Sequence, residues 1–143
     1  MVLKNKEGVE LWQAVPALFL GGFATYSLLY CVQPLLPIFA AYFDLSPSMA
    51  SLSLSLTLAG VLLGMLLIPK LSKKWGRKNV MASSLFIAAI LEAAVIFSTD
   101  YWFFLAARAV LGLVLAGFPA NAMAYVAEEF PPHQAAAVMG LYI

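Results

Sequence analysis

The sequence predicts an all-α membrane protein with four transmembrane helices and the start of a fifth. Three observations predict it. Of the 143 residues, 64% are hydrophobic and only 10% charged, against about 25% charged in a soluble domain. The apolar residues fall in runs of bilayer length, since residues 11–43 and 45–69 carry no charged side chain. The few charges collect between the runs. A soluble core cannot absorb this much apolar side chain in so short a chain. The balance argues against a disordered tail, a disulfide mini-protein, a nucleic-acid binder and a soluble enzyme. A net charge of +1 gives no electrostatic case for an anionic partner.

The first span covers about residues 12–43, more than the roughly 20 residues that cross a 30 Å hydrocarbon core. Pro16 suits its start, and Pro34 and Pro37 kink or end it near the far side. Cys31, the single cysteine, lies in this run and can form no intrachain disulfide. A processed lipoprotein cysteine needs a small residue before it, whereas Tyr30 is large and the apolar run continues past Cys31. The second span, 47–69, opens at Ser46-Pro47-Ser48, where a serine cap and an early proline favour a helix start. Its alternation from Ser51 to Leu58 imitates a strand. A helix is predicted instead, because apolar sequence continues and a lone strand would leave unpaired edges in lipid. The third span, 80–98, is interrupted by Glu92. The fourth, 101–127, starts at the interfacial pair Tyr101-Trp102 and is interrupted by Arg108. After the link from Glu128 to Gln134, a fifth apolar segment occupies 135–143.

Charge placement sets the orientation. Lys4 and Lys6 precede the first span, and Lys70, Lys73, Lys74, Arg77 and Lys78 separate the second and third. The two loops at the opposite end hold only Asp44 and Asp100. The positive-inside rule therefore predicts a cytoplasmic amino-terminus and a cytoplasmic Lys70–Lys78 loop.

Glu92 and Arg108 are the most informative residues. A charge near the centre of an inserted helix costs about 2.5–3.5 kcal/mol, and something must offset it. Each lies eight residues from Asp100, or about 12 Å along its helix, so an antiparallel hairpin places both at similar depth. They are predicted to pair or to share a polar pocket; the alternative is a Glu92 that is protonated or reaches the interface alone. Gly60 and Gly64 form a GxxxG face, and Gly112, Ala116 and Ala120 repeat small residues on the fourth span. Such faces let helix backbones approach closely. Gly21-Gly22, and Gly117 with Pro119, are candidate bending points.

Tyr26, Tyr30 and Gln33 form a polar-tipped stripe on the first span, and Asn121 and Tyr125 a similar pair on the fourth. These faces should look into the bundle or a wet cavity, with ordinary interhelical bonding as the plainer alternative. The serines from Ser51 to Thr57 can bond their own helix and imply little. His133, in the link before the fifth segment, is expected to be a solvated side chain. No phosphate-cradling glycine loop, paired carboxylates or nucleophile–base order is present, so no enzyme, cofactor or metal is predicted.

The loop from Pro69 to Lys78 resembles the signature between the second and third helices of the major facilitator superfamily, G-x-L-x-D-R-x-G-R-R/K. Leu71, the basic Lys74, Gly76, Arg77 and Lys78 match it. Pro69 replaces the family glycine, and Lys73 the family aspartate that helps latch the two halves of the transporter. Lysine there implies abnormal switching or a different latch. Arg108-Ala109-Val110-Leu111-Gly112 resembles the family's fourth-helix motif, whose arginine points into the bundle and is linked to proton coupling. Glu128, followed by Pro131 and Pro132, resembles the next link, whose glutamate pairs with the end of the helix two–three loop, here Arg77. The run from Tyr30 to Pro37 is similar to the first helix of bacterial drug and sugar efflux members.

The resemblance implies part of the amino-terminal half of a twelve-helix fold in a bacterial inner membrane, with further helices or a partner chain needed to complete it. The implied function is proton-coupled export of a small organic solute. Arg108 and Glu92 are then candidates for proton coupling, and Gly76, Arg77, Lys78 and Glu128 for the cytoplasmic gate. Tyr26, Tyr30, Gln33 and Asn121 are candidates for lining the cavity, and Gly60, Gly64 and Gly112 for helix packing. Two other readings stay open. One is a self-contained four-helix exporter acting as a dimer, like small multidrug resistance proteins, although those rely on a first-helix glutamate that this span lacks. The other is an inactive membrane fragment of a disrupted reading frame. Reversing the charges of Lys70, Lys73, Lys74, Arg77 and Lys78 together should weaken the orientation, read by topology reporters fused on either side of each span. An unchanged reporter pattern would count against the charge argument.

Overall fold

The computed structural model describes residues 14–142. Lys4, Lys6 and Ile143 lie outside the described residues, as does the side chain of His133. Seven α-helices are described: α1 (Ala14–Tyr30), α2 (Leu36–Tyr42), α3 (Pro47–Trp75), α4 (Arg77–Val95), α5 (Tyr101–Leu115), α6 (Gly117–Glu129) and α7 (Pro132–Tyr142). A 3-10 turn, Gln33–Leu35, separates α1 from α2. Grouped by length and hydropathy they make four candidate membrane spans: α1 with α2, α3, α4, and α5 with α6.

The helix boundaries follow local chemistry. Pro34 has no N–H and disfavours a helical residue before it, so the first span breaks after Tyr30 and resumes at Leu36. Ser46 caps α3, its hydroxyl accepting from the Met49 N–H at 3.3 Å with proline in the first turn. Asp100 caps α5, its carboxylate accepting from the Phe103 N–H at 2.8 Å. Ser51, Ser53, Ser55 and Thr57 each donate to a carbonyl three or four residues back, on a helix rather than a strand.

The helices do not all keep to the expected span limits. Helix α3 continues past 69, through Pro69 to Trp75. Proline removes one intrahelical bond, but the lysines that follow are good helix formers, and Lys73 and Lys74 suit the negative end of the helix dipole. Gly76 ends the helix at φ +82°, a region that side chains with a Cβ rarely adopt. The third helix therefore starts at Arg77 rather than 80, and ends at Val95 rather than 98. The fourth span is interrupted at Ala116, and the last helix begins at Pro132 rather than 135. Gly21-Gly22 does not interrupt α1, which is continuous from Ala14 to Tyr30. The ring of Phe118 occupies the space that a Cβ on Gly21 would need.

Helices α3 and α5 share the most extensive contact, α4 packs on both α5 and α6, and α1 packs on α6 and α7. Near the Lys70–Lys78 loop, Leu18, Phe118, Val126, Phe130 and Val138 form one buried cluster. Near the Asp44–Asp100 end, Val32, Tyr101, Phe104 and Leu105 form another, backed by Phe39 and Phe43. There the Tyr101 hydroxyl donates to the Met49 carbonyl. Between them Leu29, Ala88, Leu111 and Leu115 meet at mid-depth. Large apolar side chains such as Phe23, Leu66 and Phe86 point outward, as a bilayer requires.

The α3–α5 contact depends on the small residues Gly60, Gly64 and Gly112. A Cβ on Gly60 would overlap the Ala109 carbonyl, and one on Gly112 the Thr57 carbonyl, so backbone meets backbone. Gly112→Val should lower the unfolding free energy by about 1–3 kcal/mol, the scale of overpacking a tight contact. Gly140→Ala, with nothing within 4 Å of the added methyl, should leave it unchanged. Denaturant titration of the purified chain in bicelles checks both.

Candidate functional site

The site is built where the first span breaks. A helix ends with carbonyls that have no intrahelical donor, and in lipid no water replaces one. The Leu28 and Leu29 carbonyls belong to the last turn of α1. Arg108, from the middle of α5, reaches across to both. Its Nη2 donates to the Leu29 carbonyl at 3.1 Å and its Nη1 to the Leu28 carbonyl at 3.4 Å. A cation at a helix carboxyl end also meets the dipole favourably. The guanidinium thus acts as a cap supplied by another helix.

Glu92, from α4, supplies the counter-charge. Arg108 Nη1 lies 3.2 Å from Glu92 Oε2 and 3.4 Å from Oε1. The pair is asymmetric in exposure: the Arg108 side chain is 1% exposed and that of Glu92 26%. Depth matching about Asp100 anticipated this pairing, and the structure brings the two residues together. It did not anticipate a third member. The Cys31 thiol donates to Glu92 Oε1 at 3.2 Å and lies 3.3 Å from the Leu28 carbonyl. Nor did it anticipate the two carbonyls, which no side-chain pattern reveals; the one available signal was Pro34, which marks where α1 must open. The Arg108 Nε–H is buried without an acceptor among the described residues. The arginine is therefore held at its tip and not along its whole edge.

At the other end of the bundle Arg77 and Glu128 form a two-pronged ion pair, with Nη1–Oε2 and Nη2–Oε1 both at 2.5 Å. It joins the start of α4 to the last turn of α6. Each residue sits at the unfavourable end of its own helix dipole, a cation at an amino end and a carboxylate at a carboxyl end. Both are solvent-accessible, at 32% and 63%, where an ion pair contributes about 0–1 kcal/mol. Such a contact can open at small cost. Gly76 sets the sharp turn that delivers Arg77, and Lys78 is exposed beside it.

The candidate cavity residues are dispersed. Tyr26, Tyr30 and Gln33 are exposed on the first span. Asn121 is buried and donates to the Gly117 carbonyl, four residues back on its own helix, at 2.7 Å. None of the four lines the half-open cavity of about 790 Å³ that the described residues form between the first span and α4. Glu92 does. Among the described residues no group of three His, Cys, Asp or Glu is placed to hold a metal ion.

Four apolar spans with a charge pair between two of them define a multi-pass helical membrane protein. Comparison with known proteins names the family: the Major Facilitator Superfamily model matches residues 18–143, and the chain belongs to that family. It is 44% identical to an uncharacterized transporter of Buchnera aphidicola subsp. Schizaphis graminum, over 99% of this chain and 34% of the relative. It is 44% identical to the uncharacterized MFS-type transporter YybF of Bacillus subtilis, over 96% of this chain and 34% of the relative. It is 43% identical to the inner membrane transport protein YnfM of Escherichia coli, over 89% and 30%. The chain thus spans about a third of the length of the curated relatives it matches. No solved structure matches it significantly.

Proposed function

We propose that this chain supplies the amino-terminal part of a proton-coupled exporter of small organic solutes in a bacterial inner membrane, with its amino-terminus in the cytoplasm. The observation that carries the reading is Arg108, 1% exposed and shared between the Glu92 carboxylate and two carbonyls of α1. A proton arriving at Glu92, the more exposed partner, would neutralise the carboxylate and weaken the ion pair. Arg108 would then be held by the α1 carbonyls alone, and the join between α1 and α4 would loosen at the break near Pro34. Protonation is thereby linked to the position of a helix, which is what coupling requires. At the basic end the Arg77–Glu128 pair, with Gly76 and Lys78 beside it, suits a cytoplasmic gate because it is bidentate yet exposed. The inner-membrane placement draws support from the name of the Escherichia coli relative, and the orientation from the basic loop.

A chimera tests the reading: this chain replaces the matching third of the Escherichia coli relative. Everted membrane vesicles are acidified inside, and the proton gradient is followed with a quenched acridine dye. Adding members of a panel of small organic solutes, ethidium among them, should dequench the dye in chimera vesicles and not in empty ones. Glu92→Gln in the chimera should remove the response. No dequenching by any member of the panel would contradict proton-coupled export.

A further inference from the structure

The break in the first span opens a cavity of about 790 Å³ between α1 and α2 on one side and α4 and the start of α5 on the other. That volume suits a drug-sized ligand. Its walls are apolar and aromatic, with Leu28, Phe39, Phe43, Ala89 and Phe104 among them. Among the described residues that line it, Glu92 alone is charged. We propose that this cavity binds lipophilic amines, with Glu92 receiving the ammonium group and the aromatic wall holding the hydrocarbon.

The argument is one of charge and acceptor capacity. An ionised carboxylate offers about four acceptor positions. Arg108 Nη1 and the Cys31 thiol occupy Oε1, and Arg108 Nη1 also reaches Oε2. An acceptor position on Oε2 is left over, and about a quarter of the side chain is exposed. The balancing positive charge is not presented to the cavity. Arg108 is 1% exposed, is not part of the lining, and also donates to the Leu28 and Leu29 carbonyls. A ligand inside therefore meets a negative wall, although the ion pair as a whole is neutral.

The surroundings point the same way. The rings of Phe39, Phe43 and Phe104 belong to the lining, with the Phe39 and Phe104 centroids 4.9 Å apart, and aromatic rings attract cations. The loops at this end, residues 43–46 and 96–100, hold Asp44 and Asp100 and no Lys or Arg. Their field draws cations toward the mouth and repels anions. A carboxylate ligand would find no cationic partner on the lining, and a neutral one would gain only apolar contact.

The proposal rests on the transport reading only in treating the amine as cargo, and binding is measured without transport. The purified chain in lipid nanodiscs is titrated calorimetrically with 4-phenylbutylamine, 4-phenylbutanol and 4-phenylbutyrate, with empty nanodiscs correcting for partition. The amine should bind saturably and about tenfold or more tightly than the alcohol, the scale of one charge-assisted hydrogen bond. The butyrate should not bind. Glu92→Gln should erase the advantage of amine over alcohol. Ala89→Trp, which fills the cavity and leaves the ion pair in place, should weaken both, and it carries the test if the first variant fails to fold. Equal affinity for amine and alcohol would mark the cavity as a slot for acyl chains and overturn the proposal. So would amine binding undiminished in Ala89→Trp. Amine binding without transport in the chimera would sink the export reading and leave this site standing; transport without amine binding would do the reverse.

Discussion

The structure depends on how a broken helix is satisfied inside a bilayer. Pro34 forces the first span open after Tyr30, and lipid offers nothing to the exposed carbonyls. Arg108 resolves this by donating to the Leu28 and Leu29 carbonyls from α5. A guanidinium in that position needs a counter-ion, and Glu92 of α4 provides it. One requirement of backbone chemistry thus fixes the relation of three spans. It also explains why two charges persist at a depth where each alone would oppose insertion by about 2.5–3.5 kcal/mol.

The remaining packing brings α5 close enough for this to work. Gly60, Gly64 and Gly112 let α3 and α5 meet backbone to backbone, which seats α5 in the bundle interior. Thr57 and Ser53, buried at this contact side of α3, spend their hydroxyls on their own helix and ask nothing of a neighbour. The two ends of the bundle are held differently. Aromatic packing around Phe104 secures the Asp44–Asp100 end, whereas an exposed ion pair bridges α4 and α6 at the basic end. The first is apolar and cooperative. The second is polar, opposed by both helix dipoles and readily released.

Much of the fold was legible in the sequence because lipid makes hydropathy decisive. The four spans, the Ser46 start of α3, the opening at Pro34 and the depth match of Glu92 with Arg108 all follow from counting residues. What failed to read through was whatever depends on rotation about a helix axis or on backbone atoms. The Leu28 and Leu29 carbonyls that Arg108 caps carry no side-chain signature, and Asn121 bonds the Gly117 carbonyl of its own helix. Helix α3 outlasts the apolar run that ends at Pro69. Lysines prolong a helix that lipid no longer covers, and only the left-handed backbone at Gly76 stops it. Cys31 carried no signal at all, since a single thiol becomes informative only once a carboxylate stands 3.2 Å away.

The central claim is that Arg108 and Glu92 act as one unit joining the first span to α4 and α5. A double-mutant cycle in bicelles measures this directly, using Arg108→Gln, Glu92→Gln and the double variant, each unfolded by denaturant. Both single variants should destabilise the chain, and the double variant should fall short of their sum by about 0.5–3 kcal/mol, the range for residues in direct contact. Strictly additive losses would mean that the two side chains do not interact in the bilayer, and would contradict the account.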